Sequence, residues 1–278
     1  MKIFKPSELQ AFLKELGIHA KSGLSQNFLI DGNIINKIVK IADVRPGDDI
    51  LEIGPGPGSL TEALLEKGAS VTAIEMDTVF SDALKRLQTK DERLHVVNAD
   101  FLKFPLLDFL QKHKGKKYKV VANLPYHITT PILTQLLPLH RWISSLTIMV
   151  QKEFADRMIA KKGTEGYSSF TVFLQFYSEV IDSFIVSPNC FFPRPKVHSS
   201  VVHCQLHAPR LEKSENFFKL TRTAFGQRRK MLRSSLKDLY GAEKVEDALV
   251  KIGHPITERP EELSLDEFIS LFSLLHPS

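Results

Sequence analysis

An open α/β sheet, mostly parallel and closed by an antiparallel edge hairpin, with a small all-α domain after it, is what this 278-residue sequence predicts. Three observations carry the prediction. Short strand-like runs alternate with amphipathic stretches of helical period between about residues 49 and 158. A glycine-proline turn, Gly54-Pro55-Gly56-Pro57-Gly58, stands between the first such run and the first such helix. From about residue 207 onward only helical periodicity remains. Alternating βα units imply a Rossmann-like sheet with helices on both faces.

Taken in order, residues 6–18 suggest a short amphipathic helix, because Leu9, Phe12, Leu13 and Leu16 recur at helical spacing. Lys21 to Asp31 reads as a turn leading into a helix over about 32–42. Asp49–Ile53 is a strand and Ser59–Lys67 a helix; Val71–Glu75 and Thr78–Gln88 repeat the pair. Leu94–Asn98 and Lys119–Ala122 are further strands, the latter followed by a helix from near Thr130. Leu146–Gln151 is a fifth strand, and a helix with Phe154, Arg157 and Met158 follows. Phe170–Phe176 and Ser199–Leu206 come without a clear helix between them, so they are expected to form the edge hairpin. The division this suggests is a catalytic domain over 1–206 and a helical domain over 207–278.

Composition sets the bounds. The chain can bury one large core and a small satellite, and 43% hydrophobic with 25% charged residues is ordinary for a soluble globular protein. A net charge of +5 and a pI near 9.0 allow a polyanionic partner. Cys190 and Cys204 make neither a disulfide framework nor a metal signature, so no metal is expected. The amino-terminal residues lack an apolar stretch of signal-peptide length, and no run approaches the roughly 18 apolar residues of a spanning helix. A cytoplasmic protein without a membrane partner is the expectation.

Glycines at 54, 56 and 58 let backbone approach a ligand while the next helix turns its N–H groups toward it. A nicotinamide dinucleotide usually takes GxGxxG. Here the third glycine comes one residue early and two prolines stiffen the turn, which suits a ligand without a pyrophosphate, such as S-adenosylmethionine. Glu75, ending the second strand, is placed for both ribose hydroxyls. Asp100 can accept from an adenine amino group, with Met76 and Phe101 near the ring, and Glu52 faces the methionine amino end. Each alone is an ordinary surface or core residue. Together they fall at the carboxyl ends of successive strands, where open α/β sheets bind ligands.

Asn123-Leu124-Pro125-Tyr126 follows the fourth strand. The Asn123 side-chain oxygen and the Leu124 carbonyl can accept the two N–H bonds of an exocyclic amine and aim its lone pair at an activated methyl group. Pro125 fixes the turn, and Tyr126 offers a stacking face. Phe191 and Phe192, before the last strand, could cover a flipped base from the other side. Carbon-5 pyrimidine methylation would need a cysteine nucleophile, and neither cysteine lies in the fourth-strand loop.

With these residues in view, the chain resembles the ribosomal RNA adenine N6,N6-dimethyltransferase family over nearly its whole length. The matching stretches are Ser25 through Asp31, Glu52 through Gly56, Asn123 through Tyr126, Gln151-Lys152-Glu153, Phe191 through Ser199, Gln227 through Lys230 and Arg259 through Phe268. The resemblance implies a class I methyltransferase fold. It implies S-adenosylmethionine bound by Asn27, Leu29, Gly54, Glu75, Asp100 and Asn123, with Gly56 in the same turn. It also implies dimethylation of two adjacent adenosines in the loop near the 3′ end of small-subunit rRNA, in a partly assembled subunit, by a monomer. Ser25 stands where the housekeeping branch usually has glycine and is similar to the large-subunit, macrolide-resistance branch. His127 replaces a more common asparagine. Residues 227–230 and 259–264 resemble the housekeeping enzymes. A dehydrogenase and a non-catalytic assembly factor are the competing classes.

Residues 207–240 carry nine Lys or Arg against three acids, whereas residues 241–278 carry three against eight. Arg222, Arg229, Arg233 and Lys237 recur as on one helix face, with Arg228 and Lys230 beside them. Two other basic groups, Lys112, Lys114, Lys116, Lys117 and Lys119, then Lys152, Arg157, Lys161 and Lys162, complete an expected phosphate-tracking surface.

Overall fold

The structure, a computed structural model, describes residues 6–17, 27–88, 91–113, 115–211, 214–227 and 229–276. The turn over Lys21–Gln26, including Ser25, and the basic residues Lys114, Lys213 and Arg228 lie outside them. In chain order the elements begin with α1 (Pro6–Glu15), β1 (Phe28–Leu29), α2 (Gly32–Ile41), β2 (Asp49–Ile53), α3 (Ser59–Glu66) and β3 (Ser70–Glu75). Next come α4 (Thr78–Gln88), β4 (Leu94–Asn98), α5 (Leu106–Lys112), β5 (Tyr118–Asn123), α6 (Thr129–Leu136), β6 (Ile143–Gln151) and α7 (Lys152–Met158). Then follow α8 (Ser169–Tyr177), β7 (Ser178–Val186), β8 (Phe191–Phe192), β9 (Ser199–Leu206), α9 (Glu215–Phe225), α10 (Leu232–Ser235), α11 (Lys237–Tyr240), α12 (Ala242–Lys251) and α13 (Leu265–Leu275). The chain forms two compact units: Met1–Ala155 with Glu179–His207, and Asp156–Ser178 with Ala208–Ser278.

In the first unit seven strands run in the order β4-β3-β2-β5-β6-β9-β7. The pairs from β4 through β6 are parallel, and β9 runs antiparallel to β6. From β2 the chain builds outward to β3 and β4, then returns to β5 on the other side. That reversal opens a crevice at the carboxyl ends of β2 and β5. The strands there are apolar, as strands covered on both faces must be: Ile50, Leu51, Val120 and Val121 are fully buried. Helix α2 starts sharply because the Asp31 carboxylate accepts from the Asn33 and Ile34 N–H groups at 2.9 and 3.2 Å. Its Ile35, Ile38 and Val39 then pack into the sheet core.

A separate two-stranded ribbon pairs β1 with β8, Phe28 opposite Phe192 and Leu29 opposite Phe191. Beneath it Leu9 and Leu13 of α1 pack with Phe28, Ile30 and Phe80. This cluster, built from the first helix and the ribbon, supports the path of Asn27–Leu29.

The expected edge hairpin is only half present. Residues 170–176 are not a strand but the body of α8. Ser168 and Thr171 form a capping box, each side chain serving the other's backbone N–H, and this commits the segment to helix. The Phe-rich run mimics a strand because it is buried on most sides: Thr171, Val172, Leu174, Phe176 and Tyr177 are all covered. The outer edge strand is instead β7, whose residues are mostly exposed.

The second unit is helical around an aromatic core. Phe176 stacks on Phe217 with ring centroids 5.3 Å apart, and Phe218 meets both Phe173 and Phe176 edge-on at 5.0 Å. Phe217 and Phe268 are fully buried. Helix α13 begins with a second capping box, Ser264 with Glu267. The Arg222, Arg229, Arg233 and Lys237 spacing does not describe one helix face. These residues fall on α9, the turn after it, α10 and α11, because the helical hydrogen bonding is interrupted between Phe225 and Leu232.

Candidate functional site

The crevice at the switch point is a cavity of about 250 Å³. Its floor is the turn after β2, where Gly54 and Gly56 have φ of +64° and +54°. A Cβ on Gly56 would press the Phe28 ring at 3.2 Å, and the positive φ further favours glycine there. The turn is tied to the end of β3: Gly56 N–H donates to Glu75 Oε2 at 2.9 Å and Asp77 N–H to Oε1 at 2.8 Å. Burial raises the Glu75 pKa, against the pull of those N–H groups. The Met76 backbone N–H also bears on this carboxylate, which lines the cavity.

Glu52 lies deeper, 1% exposed. Its Oε2 accepts from the Thr61 hydroxyl at 2.6 Å, whereas Oε1 has no partner among the described residues. Burial pushes its pKa to about 8, with Thr61 opposing and the Glu75 charge adding. At the end of β4 Asp100 caps its own turn by accepting from Leu102 N–H at 3.0 Å, and Phe101 is buried behind it. Met76 is 68% exposed beside the cavity, not a core residue.

The opposite wall is the end of β5. The Asn123 side-chain amide donates to the Asn27 carbonyl at 3.2 Å, which leaves Oδ1 without a partner among the described residues. Leu124 N–H donates to the Met149 carbonyl at 3.1 Å, anchoring the loop to β6. Pro125 then opens a single 3-10 turn over Tyr126–Ile128, its carbonyl taking Ile128 N–H and the Thr129 hydroxyl. The Tyr126 hydroxyl lies 2.6 Å from Ser199 Oγ. Burial raises the tyrosine pKa, so the phenol is neutral.

Asn27, Leu29, Glu52, Gly54, Gly56, Glu75, Met76, Asp100, Phe101 and Asn123 all line this cavity, as do Leu124, Pro125 and Tyr126. Phe191 does not. The ribbon with β1 turns it into the sheet core, 3% exposed, and Phe192 packs on the α1 cluster. In this structure the two aromatics support Asn27–Leu29 and pack away from the cavity lining. Residues the sequence reading missed are Thr61, Ser199 and the Asn27 carbonyl. Thr61 was findable as a hydroxyl close in sequence to a carboxylate headed for burial. Ser199, 73 residues from Tyr126, had no local signal.

Among the basic groups, Arg222, Arg229 and Lys230 are exposed, while Arg233 is paired with Glu246 at 2.8 Å. The lysines before β5 sit at its amino end, away from Asn123. There Lys119 is bound to Asp48 at 2.8 Å and Lys117 to the His140 carbonyl. Lys162 is paired with Glu267. Those three are structural contacts. Among the described residues no cluster could hold a metal ion, and no helix is long and apolar enough to cross a membrane.

Two solved structures share this architecture. A dimethyladenosine transferase from Plasmodium falciparum superposes with a TM-score of 0.77 at 25% identity, covering 88% of this chain and 95% of that one. The 23S rRNA methyltransferase ErmE does so at 0.69 and 29% identity, covering 90% and 99%. The fold is that of the class I methyltransferases, which use S-adenosylmethionine. The family model described as ribosomal RNA adenine dimethylase matches residues 17–273. A ribosomal RNA small subunit methyltransferase A from Protochlamydia amoebophila (strain UWE25) is 53% identical over 281 residues, covering 100% of this chain and 99% of its own. One of the same name from Chlamydia trachomatis serovar D is 47% identical, covering 96% of each. This chain belongs to the ribosomal RNA adenine dimethylase family and is an rRNA adenine dimethyltransferase.

Proposed function

We propose that this chain dimethylates N6 of two adjacent adenosines in the loop near the 3′ end of small-subunit rRNA. Its substrate on this reading is a partly assembled subunit, and it acts as a cytoplasmic monomer. The observation that carries the reading is the placement of Asn123 and the glycine turn on facing walls of one cavity. The relatives named for the small subunit share 53% and 47% identity, against 29% for ErmE, which favours the small over the large subunit.

The cavity fits S-adenosylmethionine in three respects. Glu52 Oε1 is a buried acceptor with no partner among the described residues, suited to the α-ammonium. Glu75, held at the cavity wall by backbone N–H groups, is the acceptor placed for a ribose diol. The Gly56 backbone leaves open the space that a Cβ would crowd against Phe28. Asp100 and Phe101 take the adenine amino group and ring, and Asn27, Leu29, Gly54 and Met76 complete the lining. When bound, the cofactor supplies a methyl group on a sulfonium, open to in-line displacement.

The protein's part is aim. Asn27 holds the Asn123 amide so that Oδ1, with the Leu124 carbonyl, accepts the two N–H bonds of the target amine. That grip favours a pyramidal nitrogen with its lone pair toward the methyl. Tyr126 stacks on the base, worth about 1–3 kcal/mol. The cationic product nitrogen is acidic enough to give its proton to water, so no side-chain base is required. Arg222, Arg229 and Lys230, exposed in the second unit, are assigned to rRNA phosphates.

Incubation with labelled cofactor and unmethylated small or large subunits, followed by nucleoside mass spectrometry, tests the proposal. Dimethyladenosine from the small subunit alone is expected. Label from the large subunit would reverse the assignment. Asn123→Ala should lower the rate by roughly a hundredfold or more, and full activity would remove Asn123 from its role.

A further inference from the structure

Ser199 is fully buried at the first position of β9, where its backbone is locked in register with Gln151 of β6. On the preceding residue, the His198 carbonyl accepts from Lys152 N–H at 3.0 Å. The Ser199 hydroxyl meets Tyr126 OH at 2.6 Å, a full hydrogen bond between two neutral hydroxyls. Tyr126, by contrast, sits on a three-residue 3-10 turn, the weaker kind of helix. The rigid partner therefore sets the ring of the pliant one. We infer that Ser199 is a positioning residue which, by fixing the Tyr126 ring through this hydroxyl pair, controls how efficiently the second methyl group follows the first.

The reason lies in the count of N–H bonds. Resting on the reading above, the first transfer has two N–H bonds for Asn123 Oδ1 and the Leu124 carbonyl to grip. In each transfer the nitrogen lone pair forms the new N–C bond, the C–S bond breaks with its electrons going to sulfur, and one proton leaves to water. The monomethylated amine then offers a single N–H bond, so its hydrogen-bonded hold is halved. Stacking on Tyr126 must supply the remaining orientation, and a ring free to swing would supply less of it. Loss of the Ser199 contact therefore harms the second transfer more than the first.

The experiment measures the ratio of monomethyl- to dimethyladenosine in single-turnover time courses on unmethylated small subunits. Ser199→Ala and Tyr126→Phe should each slow the second step relative to the first by about three- to tenfold, the worth of one hydrogen bond. S-adenosylmethionine affinity should be unchanged. The double variant should match either single one, since both remove the same contact, and Ser199→Thr should restore the wild-type ratio. A wild-type ratio in Ser199→Ala, or effects that add in the double variant, would overturn the inference. Wild-type protein that makes no dimethyladenosine at all would instead sink the functional reading beneath it.

Discussion

Two carboxylates show how differently the two units use burial. Glu52, in the first unit, has one oxygen on Thr61 and the other on nothing among the described residues, and burial lifts its pKa to about 8. Glu267, in the second, also pays for burial. Yet Ser264 N–H and hydroxyl, Lys162 and His254 together hold it down at about 2. His254 in turn donates between Glu258 at 2.8 Å and Glu267 at 3.2 Å; burial lowers its pKa, but the two acids outweigh it and raise it. One carboxylate is left open and the other is fully employed. For a buried carboxylate lining a cavity, an unmet oxygen is a place a ligand donor can fill, whereas the saturated Glu267 ties separate segments together.

The comparison can be broken most forcefully in the second unit. Phe217→Ala empties the centre of the aromatic core and should destabilise that unit by about 3–5 kcal/mol, read by denaturant unfolding. If S-adenosylmethionine affinity falls in step, the two units are not energetically separate.

Next comes Glu52→Gln, which should weaken the cofactor by about ten- to a hundredfold at pH 8, the worth of a charged hydrogen bond. The sign follows from the raised pKa. In the free protein Glu52 costs stability as pH rises from its ordinary 4.5 toward 8, because the folded state binds the proton more tightly. The ammonium of the cofactor favours the ionised form, so wild-type affinity should climb over that rise, measured by calorimetry. A wild-type affinity flat between pH 6 and 8.5 would leave Glu52 as mere structure.

The smallest expected effect concerns surface charge. Arg229→Glu with Lys230→Glu should weaken subunit binding about tenfold at 150 mM salt, and less as salt rises, with cofactor affinity intact. Unchanged binding would take this turn off the docking surface.

Much of the first unit was legible because strand and helix periods are local properties. The β2–β5 alternation and the glycine turn depend on neighbouring residues alone. The same locality explains the errors. Phe170–Phe176 was misread because an aromatic helix buried on most sides lacks a polar face, and the decisive clue was the Ser168–Thr171 cap. Arg222 through Lys237 looked like one helical stripe because periodicity does not see where hydrogen bonding stops. That Phe191 packs into the sheet core is not legible locally, because strand alternation says which face a residue takes only once its partner strand is known.

Local sequence supplies the chemical groups and their order along the chain: the glycines, the strand-terminal acids and Asn123-Leu124-Pro125-Tyr126. Tertiary structure decided which of them meet. The return of β5 beside β2 gathers them at one crevice, Asn27 turns the Asn123 amide, and Ser199 reaches Tyr126 from 73 residues away. The physical reason is range: backbone preference acts over a few residues, while hydrogen-bond partners for buried polar groups are chosen by the packing of the whole sheet.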